Sequence, residues 1–303
     1  MSIVAKGRRR PGHSVAALAL AVLALGLIFP PASSAAPANP RRIASLNVCT
    51  DQLLLLLGLR ARLVSVTFLA ADPSSSALAE RARGLRLNRG RAEEILTLKP
   101  DLVLAGSTAA SPTVQLLRRL GYPVRVVPLA IALADIPRNI ATVARAVGEA
   151  ARGAEMIARF QDSLRRITAG LPAPEAPRPT ALLIGPNGIS SGHRSLAGAI
   201  IDAAGFANGA AGLGLAGVGR VPLELVIRTR PQLLILSNLK ADHPSLAVAT
   251  LAHPALAGVT AGRTTIRIQH HVWACGTPLV LDAIARLVRI RRGIDAAARG
   301  ERR

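Results

Sequence analysis

Two stretches decide the reading of this chain: Glu93-Glu94-Ile95-Leu96-Thr97-Leu98-Lys99-Pro100-Asp101-Leu102-Val103-Leu104 and Glu224-Leu225-Val226-Ile227-Arg228-Thr229-Arg230-Pro231-Gln232-Leu233-Leu234-Ile235. They are copies of one unit, set 131 residues apart. In each, a Glu stands seven residues before a Pro, and an apolar triplet starts two residues after that Pro. Proline lacks an amide hydrogen and crowds the preceding turn, so it ends the short helix before it. It is also expected to push its predecessors, Lys99 and Arg230, toward extended backbone. The triplet shows no polar alternation and reads as a strand covered on both faces. Each Glu falls in the first turn of its helix, where the helix dipole favours a negative charge. A helix–Pro–strand unit in each half of the chain implies two α/β lobes.

The flanking sequence extends the pattern. Ile43 to Leu46, Leu63 to Val66, Asp101 to Ala105 and Val124 to Val127 read as strands. Helical stretches at Glu93 to Leu98 and Thr113 to Leu120 separate them, and Thr50-Asp51 is positioned to cap a helix through Leu57, stopped by Gly58. Asp135 to Ala169 is helical throughout, divided at Gly148. Its second part keeps Met156, Ile157, Phe160, Leu164 and Ile167 at helical spacing and would span roughly 30 Å. Four prolines between Leu171 and Pro179 end it. Strands then resume at Ala181 to Ile184, Leu233 to Leu236 and Thr264 to Ile268, with helices at Leu196 to Ala204 and Pro278 to Ile290.

The expected fold is α/β: two Rossmann-like lobes joined by one long helix. The expected division is 39–148, a joining helix over 149–170, and 171–303. One continuous domain is the alternative.

The chain has 303 residues and a formal charge of +21, with 38 Lys and Arg against 17 Asp and Glu. Residues 1–38 read as a secretory signal peptide: Lys6 and Arg8 to Arg10, an apolar run from Val15 to Phe29, then a small, Pro-rich segment with cleavage sites at Ala35 or Ala38. An uncleaved anchor is the alternative, although the run is short for a span of roughly 20 residues. Export makes a role on cytoplasmic nucleic acid an unexpected use of the charge. With four Phe, one Trp and one Tyr, base-stacking platforms are scarce as well.

Taken in order, these pieces resemble the periplasmic binding proteins of ABC importers for iron chelates and vitamin B12. The resemblance rests on Ile43-Ala44-Ser45-Leu46-Asn47 and its following helix, both Glu…Pro units, the long helix, His253-Pro254-Ala255-Leu256, Trp273 and Thr277-Pro278. It implies a non-enzymatic protein that captures a metal chelate in a ligand cleft between the two lobes and delivers it to a dimeric permease at the inner membrane. It further implies a monomer, no resident cofactor, and one Glu on each lobe docking onto permease arginines. Those positions match Glu93 and Glu224, with Glu94 as a rival for the first. Many relatives carry Arg after the Pro that opens the last helix; here that position is Leu279.

Ligands of open α/β sheets bind outside the carboxyl ends of strands. Those ends are the loops near Asn47 to Thr50, Phe68 to Asp72, Ser107 to Ser111, Gly185 to Arg194 and His270 to Thr277. The candidate ligand-binding residues are Asn47, Cys49, Phe68, His193, Arg194, His271 and Trp273. Phe68 and Trp273 supply apolar surface, and Arg194 a planar fork for an anionic oxygen. His271 has too few neighbouring ligands for a resident metal site, and no metal is expected. Cys49 and Cys275 are the only cysteines; a disulfide between them and two free thiols both remain open. Gly212-Leu213-Gly214-Leu215-Ala216-Gly217 follows a helix rather than a strand, so it fails as a dinucleotide fingerprint.

No nucleophile–base pair or HExxH pattern supports an exported α/β enzyme, and no spanning segment follows the lobes to support a ligand-sensing ectodomain. Ferric siderophore, cobalamin and haem are the candidate ligands. The Arg excess and the scarcity of aromatics favour the siderophore.

Overall fold

The computed structural model describes residues 37–107, 111–173, 176–238 and 264–300. The apolar run of the N-terminal segment, residues 108–110 of the Ser107 to Ser111 loop and His253 to Leu256 lie outside these residues.

Lobe 1 is built on a parallel five-stranded sheet in the order β3-β2-β1-β4-β5. Its strands are β1 (Ile43–Ser45), β2 (Leu63–Thr67), β3 (Leu87–Asn88), β4 (Leu102–Ala105) and β5 (Val124–Val126). Between them run α1 (Val48–Leu56), α2 (Ala79–Ala82), α3 (Ala92–Leu96) and α4 (Pro112–Arg119). Two long helices follow, α5 (Asp135–Ala146) and α6 (Ala150–Thr168), broken at Gly148. Lobe 2 is a parallel sheet in the order β11-β10-β6-β8, with β6 (Thr180–Ile184), β8 (Ala207–Asn208), β10 (Leu233–Asn238) and β11 (Thr264–Gln269). An antiparallel pair, β7 (Ile189–Ser191) and β9 (Val218–Arg220), stands beside it. Its helices are α7 (Leu196–Ala203), α8 (Gly209–Gly212), α9 (Leu223–Thr229) and α10 (Val280–Gly300). Helix α6 packs on α5 in lobe 1 and on α10 in lobe 2.

The repeated unit packs the same way twice. Leu102 and Leu104 of β4 face a large core shared by both lobes, while Val103 faces a small outer cluster with Ile95 of α3. Leu233 and Ile235 of β10 likewise face the large core, and Leu234 meets Val226 of α9 outside. Side chains in a strand alternate faces, so an apolar triplet needs partners on both. The apolar residue two positions after each Glu, Ile95 or Val226, supplies the outer partner.

Two local expectations change. Lys99 and Arg230 are left-handed, with φ of 44° and 43°, instead of extended. Each reverses the chain between helix end and strand. At Lys99 the turn is clamped: Arg42 donates to the carbonyls of Leu98 (2.6 Å) and Lys99 (3.2 Å), and Asp101 accepts from the amides of Arg41 and Arg42. These tertiary bonds outweigh the steric preference set by Pro. Helix α1 starts earlier than expected, because the Asn47 side chain, rather than Thr50 or Asp51, caps it by accepting from the Cys49 amide at 2.9 Å. Thr50 and Asp51 are buried inside the helix.

Candidate functional site

A cavity of about 570 Å³ opens between the lobes. Lobe 2 contributes Gly185, Pro186 and Asn187 after β6, Ser237 in β10, Arg194 to Ala197 at the start of α7, and Ile189 and Val218 of the antiparallel pair. Among the described residues, lobe 1 contributes Leu129, Ala130 and Ile131, which follow β5. His270, Trp273 and Ala274 complete it. Leu129, Ile131, Ile189 and Val218 are exposed, the last by 68%, so two aliphatic walls meet solvent across the opening. Such uncovered apolar surface marks a binding site more often than a resting exterior.

Among the described residues, Arg194 is the one cationic lining residue apart from the titratable His270, and it has no acidic partner. Its backbone is fixed: the Arg194 amide donates to the Ala216 carbonyl at 2.6 Å. The next residue, Ser195, caps α7 by accepting from the Gly198 amide at 3.1 Å while donating to the Gly192 carbonyl. A guanidinium held on a rigid loop at the edge of an apolar cavity is suited to an anionic oxygen. Desolvation, with the neighbouring His271 charge, holds the His270 imidazole below its ordinary pKa.

The open crevice lies where lobe 2 reverses strand order, beyond the ends of β6 and β10. The matching crevice of lobe 1, beyond β1 and β4, is filled. Asn47 packs so tightly over Gly106 that a β-carbon there would come within 2.6 Å of Asn47 Nδ2. Beneath it, Asp51 accepts from the Thr67 hydroxyl (2.5 Å) and amide (3.2 Å), and Asn88 donates to the Ser45 carbonyl and the Ser65 hydroxyl. Burial pushes Asp51 up to about 7, against the pull of the Ser45 and Thr67 hydrogen bonds.

Of the sequence candidates, Arg194 and Trp273 line the cavity together. Asn47 is the helix cap described above. Cys49 is bonded to Cys275, with Cα atoms 5.1 Å apart. Phe68 is exposed under the Arg89 guanidinium, 5.0 Å from its ring centre. His193 is exposed and lies near Asp202. His271 lies against lobe 1: burial lowers its pKa, while the backbone of Ser74 and Pro73 and the Asp72 charge raise it. Glu93 and Glu224 are both exposed. Glu94 is half-buried and accepts from the amides of Arg89 (2.8 Å) and Arg91 (3.3 Å), which makes it the cap of α3.

The cavity-lining residues that sequence reasoning missed include Leu129 to Ile131, Val218 and Ser237. The first group follows the end of a parallel strand and was reachable by the same rule that picked the other loops. Val218 lies next to a glycine-rich stretch that reads as loop.

A family model described as "Periplasmic binding protein" matches residues 43–270. Cobalamin-binding proteins from two strains of Halobacterium salinarum are 27% identical over 216 residues, covering 71% of this chain and 58% of each relative. The chain thus spans a little over half the length of those curated relatives. The periplasmic haem-binding protein RhuT from Roseiflexus sp. RS-1 matches with a TM-score of 0.67 at 23% identity, over 82% of this chain and 96% of that one. The vitamin B12 binding protein BtuF of Vibrio cholerae matches at 0.60 and 22%, over 84% and 98%. A structure from an Fe3+-hydroxamate transport system of Saccharomonospora viridis matches at 0.61 and 24%, over 82% and 92%. These likenesses establish a shared fold.

Proposed function

Since the chain belongs to the periplasmic binding protein family, we propose that it is the solute-binding component of an ABC importer. It captures a metal chelate in the interlobe cleft outside the inner membrane and delivers it to a permease. Residues 1–38 serve as the export signal, and Glu93 and Glu224 dock one lobe each onto the permease. The observation that carries this reading is the cavity itself: aliphatic walls from both lobes around the Arg194 guanidinium, which has no acidic partner among the described residues. Such a lining suits a bulky chelate with an anionic edge, whose metal is already held by its own donors. The walls are aliphatic, and among the described lining residues Trp273 is the one large aromatic ring, which favours a ferric siderophore over the flat faces of haem or cobalamin.

Titration of the mature protein with a ferric siderophore, cobalamin and haem, read by Trp273 fluorescence, tests the reading. Saturable binding of one of the three is expected. Arg194→Ala should weaken it about tenfold or more, the weight of a charge-assisted hydrogen bond. Failure of all three to bind overturns the proposal.

A further inference from the structure

Residues 270–277 follow β11 and so belong by chain to lobe 2, yet their ties run to lobe 1. Cys275 is bonded to Cys49, in the first turn of α1. Gly276 lies so close to lobe 1 that a β-carbon there would come within 2.3 Å of the Ala130 β-carbon. His271 sits by the Pro73–Ser74 backbone. The same short segment places His270, Trp273 and Ala274 in the cavity, where they form its floor between the walls of the two lobes. Trp273 is 3% exposed. The floor of the cleft is therefore fastened at one end to the lobe that supplies few of the lining residues.

We propose that the Cys49–Cys275 bond is a positioning device for ligand binding. It holds the floor against lobe 1, so that the open crevice of lobe 2 faces a surface of fixed place whatever small rotation the lobes undergo. A site ordered before the ligand arrives spares the ligand the cost of ordering it. Without the bond the floor can follow lobe 2, and that cost falls on binding. The inference rests on the cleft being the ligand site, and one of its readouts needs no ligand.

Trp273 is the only tryptophan of the chain and reports on the floor directly. The test uses the full mature chain carrying Cys49→Ser with Cys275→Ser. Acrylamide quenching of Trp273 should rise at least twofold with the far-ultraviolet circular dichroism unchanged. Affinity for whichever chelate the parent protein binds should fall about tenfold. Unchanged quenching, with only the melting temperature lowered, would make the bond a plain staple and overturn the proposal. If the double variant does not fold, the parent chain is reduced by a phosphine under native conditions, and quenching is followed before any loss of circular dichroism; the same two outcomes decide. A parent protein that binds none of the three chelates refutes the reading of the cleft, while the quenching still shows whether the bond holds the floor.

Discussion

The two lobes are alike at their outer edges and unlike where they face each other. Both carry an exposed Glu opening a short helix, a left-handed basic residue, a Pro and a buried triplet. Both have a crevice where strand order reverses. In lobe 2 that crevice is the main wall of the cavity; in lobe 1 it is packed shut by Asn47 and the network of Asp51, Thr67, Asn88 and Ser45. Duplicated architecture therefore leaves room for divided work. The symmetric edge would suit a two-fold partner, and the asymmetric interior puts the polar lining residues of the cavity, Arg194 among them, on lobe 2.

The largest expected effect strikes the symmetric half of that comparison. Glu93→Arg combined with Glu224→Arg would set like charges against permease arginines, and such juxtapositions cost several kcal/mol of association. Uptake into vesicles reconstituted with the cognate permease should be lost. Ligand affinity should stay near normal, because neither residue lines the cavity. Each single reversal should give a comparable partial defect. Normal uptake by the double variant would break the docking assignment; one silent and one crippling single reversal would show that the edges, like the interior, have diverged.

An intermediate effect concerns the closed crevice of lobe 1. Asp51 is fully buried with its carboxyl raised from 3.8 to about 7. Between those values the folded chain keeps a proton that the unfolded chain has released. The group's contribution to stability is therefore complete below about pH 4 and lost as pH rises through 7. Three pKa units correspond to roughly 4 kcal/mol, an upper bound for one buried group. Asp51→Asn stays neutral, so it should match the parent near pH 4 and exceed its stability by a few kcal/mol at pH 8. Chemical denaturation at pH 4, 6 and 8 measures the difference. A gap that does not change with pH would mean that Asp51 is not the titrating group, and that the lobe 1 network is less sealed than its geometry indicates.

Much of the fold was legible because its signals are local. Helix α6 is expected over 149–170 and found at Ala150–Thr168, since an amphipathic stripe bounded by Gly148 and a Pro-rich segment leaves little freedom. The apolar triplets become strands for the same kind of reason. What escaped was decided at a distance. The left-handed turn at Lys99 depends on Arg42 and Asp101, which meet it only in the folded chain. The pair β7 and β9 joins segments almost 30 residues apart across glycines that carry no strand signal. At the site, Arg194 and Trp273 were visible because charge and aromatic rings are rare markers in strand-end loops. Leu129 and Ile131 bear no chemical mark, and their exposure is a property of the cleft. The bond between Cys49 and Cys275 spans 226 residues, so it follows from how the lobes meet.

The smallest expected effect separates two neighbours that sequence alone left as rivals. Glu94 accepts two backbone amides ahead of α3, so removing its side chain strands donors that the helix cannot satisfy internally. Losing a side-chain cap of this kind costs about 1 kcal/mol. Glu93 is exposed and contributes through the dipole of a helix only five residues long, so the fold should lose less than about 0.5 kcal/mol without it. Glu94→Ala is therefore expected to lower the melting temperature by about 2 °C, and Glu93→Ala by less than half of that. Permease binding should show the reverse order, with Glu93→Ala weakened and Glu94→Ala near the parent. The crossed pattern matters more than either value. A residue that holds its own helix and a residue that waits for a partner stand side by side, and only opposite responses in the two assays would assign them as the geometry does. If Glu94→Ala were the variant that lost permease binding while the fold kept its stability, the outer edge of lobe 1 would be offset by one residue from that of lobe 2, and the symmetry between the lobes would fail at the position where it is now closest.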